Sequence, residues 1–230
     1  MFRSISIVEY KVQQAQFFLE KISQVELDFF AVQCFVDAFV GAARGITFSM
    51  QAVLGDVPGF AEWYATRQAT LKGDTVCQFF NQYRRVSTHI GDTVVRGGMS
   101  ARNQSGEPVV KYFFMPVPDL PDVPEQDVLS ICTDYFRVLL KLVYDIMMDF
   151  KYQLDDRWYF TKENFHGMGK TVEDAEKELG FPRGWTGIGD VFPECERWRV
   201  LRRTQTVGCQ LNELFLRYLG NTIQGPDDDT

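Results

Sequence analysis

Seven consecutive residues, Tyr83-Arg84-Arg85-Val86-Ser87-Thr88-His89, carry the side chains in this chain best suited to chemistry. One of only two histidines closes the run, and two adjacent arginines open it. An imidazole titrates near neutral pH, while a guanidinium stays charged and grips phosphate oxygens with a planar fork of donors. A helix turns about 100° per residue, so Arg85 and His89 lie roughly 40° apart, one turn from each other. Arg84 and His89 lie about 140° apart, so Arg84 reaches round the side. The arrangement suits phosphate handling. Spacing alone favours a solvated helix end, where cations offset the helix dipole by about 0.3–1 kcal/mol.

The elements that must position this run follow from apolar periodicity. Residues 8–25 predict an amphipathic helix with Val8, Val12, Ala15, Phe18, Leu19 and Ile22 on one stripe. Residues 27–54 predict a longer helix, with small residues at Gly41-Ala42-Ala43 and Gly45 and a stop at Gly55 and Pro58. A short helix over 61–71 follows. Asp74 then caps a helix over 75–90 that carries the Arg/His run and stops at Gly91. Two Val-, Phe- and Tyr-rich segments, 93–100 and 108–115, flank a polar loop and predict a β-hairpin. Four prolines between 116 and 124 form a connector to a long helix over 125–151. Residues 155–192 read as irregular apart from a short helix capped by Thr171, with Asp174 completing a capping box. A last helix spans 193–219.

The text around the Arg/His run resembles the HEPN superfamily, helical domains of prokaryotic toxin–antitoxin and defence systems. The resemblance rests on Arg84 and His89, separated by four residues, late in a core helix. Phe17-Phe18-Leu19-Glu20, Ala38-Phe39-Val40-Gly41-Ala42-Ala43-Arg44 and Glu62-Trp63-Tyr64 are similar to the upstream text of that family. It covers residues 8–91. The resemblance implies metal-independent RNA cleavage where the family is active, with His89 as acid/base and Arg84 stabilising charge on the phosphate. It also implies a homodimer with both motifs at the two-fold interface. Arg85 stands where the family usually carries Asn. Arg85 and Arg44 are the candidate residues for binding RNA phosphate.

The expected fold is therefore mainly α. A HEPN-like antiparallel helical bundle spans 1–151, with an inserted β-hairpin at about 93–115. Residues 152–224 form a C-terminal helical extension or a continuation of the same domain, and 225–230 form a disordered tail. The formal charge of −7 argues against an autonomous nucleic-acid binder, though not against a local cationic site. Five cysteines, odd in number and without a CxxC pair, fit free thiols in a reducing cytoplasm. Neither a signal pattern nor an uncharged run of 18 apolar residues is present, so no membrane span is expected.

Other motifs weigh less. Gly167-Met168-Gly169-Lys170-Thr171 ends like a phosphate loop, but Asn164 stands where that pattern needs glycine. His166 has no ligand partner at metal-like spacing, so neither metal nor cofactor is expected. Arg197, Arg199, Arg202 and Arg203 spread round the last helix with Trp198 between them, as RNA contacts or as a solvated face. Phe29, Phe30, Phe79 and Phe80 are read as core. Three functions follow as expectations. The first is a non-catalytic interaction or structural component with an antitoxin or other protein partner. The second is the ribonuclease. The third is a binding module through the C-terminal region, near Trp158, His166 and Trp185.

Overall fold

A computed structural model of the chain describes residues 4–90, 94–102, 105–106, 108–190, 192–204 and 209–226, without the side chains of residues 89, 90, 108 and 188–190. Among these residues the fold is mainly helical, with eleven α-helices and one two-stranded antiparallel sheet. The chain divides into two units: Ser6–Leu142, and Met1–Ile5 with Val143–Thr230. The dividing line falls inside a helix rather than near residue 151.

The first unit holds α1 (Ser6–Gln24), α2 (Phe29–Leu54), α3 (Phe60–Gly73), α4 (Thr75–Arg85), β1 (Val95–Arg102), β2 (Pro108–Phe114) and most of α5 (Val128–Asp149). In α1 the predicted stripe of Val8, Val12, Ala15, Leu19 and Ile22 is buried, and the helix packs along α2. Each large aliphatic side chain in such a stripe stabilises the fold by about 1.5–3 kcal/mol. Asp28 starts α2 by accepting from the Ala31 amide at 2.9 Å, and Gly55 ends it. By length and composition α2 is apolar enough to cross a membrane. Its Val32, Val36, Phe39, Ala43, Ile46 and Met50 are all buried within this fold.

Aromatic rings join the elements of this unit. Phe80 of α4 stacks on Tyr135 of α5 with centroids 4.5 Å apart. Phe79 meets Phe114 of β2 edge-on at 4.8 Å, and Phe39 meets Phe80 edge-on at 6.2 Å. Phe79 and Phe80 are core, as expected, but Phe29 and Phe30 are 36% and 73% exposed. They lie in the first turn of α2, and Phe30 sits about 200° round the helix from buried Val32. The hairpin pairs Met99 with Lys111, and residues 103, 104 and 107 of its predicted loop lie outside the described residues. Tyr112 donates to the Glu26 carbonyl at 2.7 Å and Gln33 to the Val95 carbonyl at 3.0 Å, which ties the hairpin to the α1–α2 connection.

The second unit holds the end of α5, α6 (Lys151–Leu154), α7 (Asp156–Tyr159), α8 (Lys162–Gly167), α9 (Val172–Glu178), a 3₁₀ turn (Trp185–Asp190), α10 (Glu194–Arg203) and α11 (Asn212–Leu219). Tyr159, Phe160, Phe165, Val172, Ala175, Trp198 and Leu201 form its core. The segment read as irregular contains capped short helices, including the Thr171–Asp174 capping box. The single helix expected over 193–219 is two helices, with residues 205–208 outside the described residues. Residues 227–230, the end of the predicted tail, lie outside the described residues.

Candidate functional site

Asp74 starts α4 by accepting from the Cys77 amide at 2.8 Å. The helix then buries Phe79, Phe80 and Tyr83 on one face, which leaves Arg84 half-buried at its flank and Arg85 exposed. Beyond Arg85 the expected α-helix gives way to a π-helical turn, Val86–Ile90. In that ladder residues five apart are joined, whereas an α-helix sets them about 140° apart. Arg84 and His89 are five apart, so the turn moves the backbone of residue 89 toward the azimuth of Arg84. The His89 side chain lies outside the described residues, and so does the predicted stop at Gly91.

Arg44, midway along α2, and Arg84 line the same two cavities. The first, about 320 Å³, has a buried floor that includes Val40, Phe80, Tyr135 and Leu139. Lys72, Gln68, Gln78 and Asn81 stand exposed at its rim. The second, about 300 Å³, is walled by Gly41 and Gly45 of α2 and by Ser87 and Thr88 of the π-helical turn. A side chain added at Gly41 would meet nothing within 4 Å, which shows how open that wall is. Asp37 also lines this second cavity, but its carboxylate accepts the Tyr83 hydroxyl at 2.8 Å.

Neither arginine has a carboxylate partner among the described residues. Arg44 donates to the Thr47 hydroxyl at 3.4 Å and lies 4.4 Å over the Phe48 ring. The Nε atoms of both Arg44 and Arg84 are buried without a hydrogen-bond partner. Buried donors without acceptors are costly, and two guanidiniums without a counter-ion on one cavity fit a site for an anion. Among the described residues no carboxylate lines the first cavity. Burial, and then the nearby Asp74 charge, pushes the Cys77 thiol up to about 12. Burial, and then Cys77, raises the Tyr135 phenol despite the opposing pull of Arg44 and Arg84. Both groups are neutral at pH 7.

Of the four residues singled out in the sequence, the structure brings Arg84 and Arg44 together, leaves Arg85 exposed outside both cavities, and describes His89 by its backbone alone. Tyr64, Lys72 and Tyr135 were not legible as site residues. They come from α3 and α5, and only packing brings those helices beside α4.

The other motifs are engaged internally. Gly169, at φ +69°, links α8 to the Thr171 cap, and Lys170 pairs with Glu178, so the glycine loop is a helix connection. Arg197 binds Glu173 at 2.7 Å and Glu176 at 3.2 Å, Arg199 pairs with Glu196, Arg202 is 7% exposed, and Trp198 is fully buried. The Trp158 indole donates to the Gln224 carbonyl, Trp185 stacks on Phe181, and His166 faces Glu194 at 3.4 Å. No cluster of three metal-ligating side chains occurs among the described residues. No protein-family model, curated protein or solved structure matches the chain.

Proposed function

We propose that this chain is a HEPN-like protein whose Arg44–Arg84 pair binds a phosphate-bearing partner. It acts as a non-catalytic interaction or structural component of a defence or toxin–antitoxin type system, in the cytoplasm and as a homodimer. The observation that carries the reading is the pair of guanidiniums, without a carboxylate partner among the described residues, on two shared cavities. The net charge of −7 confines RNA attraction to this local patch. The test is filter binding of short RNA at several salt concentrations. Arg84→Gln should weaken binding about tenfold and flatten its salt dependence. Wild-type affinity in both Arg44→Gln and Arg84→Gln would overturn the reading.

A second reading is a metal-independent endoribonuclease, with His89 as acid/base and Arg84 holding the developing phosphorane charge. The π-helical turn favours it, since such turns recur at functional sites and this one adjoins the Arg84 cavities. RNA cleavage in excess chelator, lost in His89→Ala with RNA binding retained, would select this reading over the first. Cleavage that survives His89→Ala would remove it.

A further inference from the structure

We propose that the 320 Å³ cavity is a binding site for a small phosphate monoester with an apolar ester group. The proposal rests on Arg44 and Arg84 as anion-binding residues and adds a free small-molecule ligand that shares them. Four donor groups belong to residues that line this one cavity. Two are the guanidiniums of Arg44 and Arg84, which have no carboxylate partner among the described residues. The third is the Tyr135 hydroxyl, 8% exposed, and a buried phenol ordinarily finds a partner. The fourth is the Tyr64 hydroxyl. Its oxygen accepts from Gln51 Nε2 at 3.2 Å, which leaves its own proton for a ligand. Lys72 at the rim adds a third positive charge, and among the described residues no carboxylate lines the cavity.

The charge and the floor together select the ligand class. A phosphodiester carries one negative charge and must continue on both sides of its phosphorus. A monoester carries about −1.5 to −2 near neutral pH and a single substituent, which matches two guanidiniums and one pocket. Free phosphate would leave the apolar floor unused. There, buried Val40 and Leu139 flank the flat Phe80–Tyr135 stack, whose rings are 17° from parallel. At about 320 Å³ the cavity is at the small end of ligand pockets, which run to about 1,000 Å³, so the substituent is of ring size.

Calorimetric titration of the full chain with phenyl phosphate, inorganic phosphate and phenol tests this. Phenyl phosphate should bind at least about tenfold more tightly than either fragment. Tyr135→Phe keeps the ring stack and should weaken phenyl phosphate about tenfold by removing one donor to a charged group. Arg44→Gln and Arg84→Gln should each weaken it by at least as much. Inorganic phosphate binding as tightly as phenyl phosphate would overturn the proposal and leave the arginine pair as an anion site. Absence of phenyl phosphate binding, with RNA binding still dependent on Arg84, would do the same. Absence of both, in folded protein, would overturn the proposal and the reading beneath it.

Discussion

A buried polar donor left without an acceptor costs about 1–3 kcal/mol, and Arg44 and Arg84 each carry one. That cost falls on the folded protein, so function and stability pull apart at these residues. Arg84→Met should raise the urea-unfolding free energy by about 1 kcal/mol while it weakens anion binding at least about tenfold. A loss of stability in this variant would show instead that the guanidinium serves packing. The thiol of Cys77, pushed up to about 12, supplies a second check on the cavity. Its thiolate is scarce at pH 8, so iodoacetamide followed by mass spectrometry should modify exposed Cys34 and Cys195 well before Cys77. Early labelling of Cys77 would contradict the neutral thiol described for this cavity.

At the scale of elements, α4 is the part that presents the site, and its start is held by one side chain. Asp74→Ala should cost about 1 kcal/mol in chemical denaturation, because the Cys77 amide loses its only acceptor of that kind at the helix start. Asp74→Ser should restore most of it, since serine caps by the same geometry. This cap, the Thr171–Asp174 box and the stripes of α1 and α5 were legible in the sequence, because capping and amphipathic periodicity act within a few residues of chain. The π-helical turn at Val86–Ile90 was not legible. The sequence carries no propensity that separates an i→i+5 ladder from an i→i+4 one, and the angles derived for an α-helix put residue 89 at the wrong azimuth. The separation of α10 from α11 was not legible either, because apolar periodicity continues on both sides of it.

At the scale of the whole molecule, the unit ending the chain depends on a buried carboxylate. Glu176 is fully buried and accepts from the Thr186 amide at 2.8 Å, from the Thr186 hydroxyl, from the Gly184 amide and from Arg197. Burial pushes its carboxyl up, but these donors outweigh burial and hold it below the usual carboxylate range. Burial likewise opposes Arg197 at Glu173, and Arg197 wins. A folded-state value below the unfolded one, near 4.3, gives stability that is complete above the unfolded value. That stability is lost as pH falls through the folded value. Asp156, raised by burial and then by the Asp155 charge, acts with the opposite sign. Hydrogen exchange at pH 7 and at about pH 3 should therefore show α9 and α10 losing protection on acidification before the aromatic core of the first unit. Glu176→Gln should cost about 3 kcal/mol at neutral pH and flatten the acid limb. An unchanged acid limb would show that other carboxylates set it.

The sequence by itself determined that this chain is mainly helical with one hairpin, where most helices begin, and that Arg84, Arg85, Arg44 and His89 were the side chains to watch. Those properties depend on neighbours a few residues apart. Only the tertiary structure decided that Arg44 and Arg84 share a cavity while Arg85 does not, that Tyr64 and Tyr135 complete that cavity, and that no carboxylate among the described residues lines it. Those facts join residues 20 to 91 positions apart, on four helices whose packing is set by the burial of Phe39, Phe80 and their neighbours.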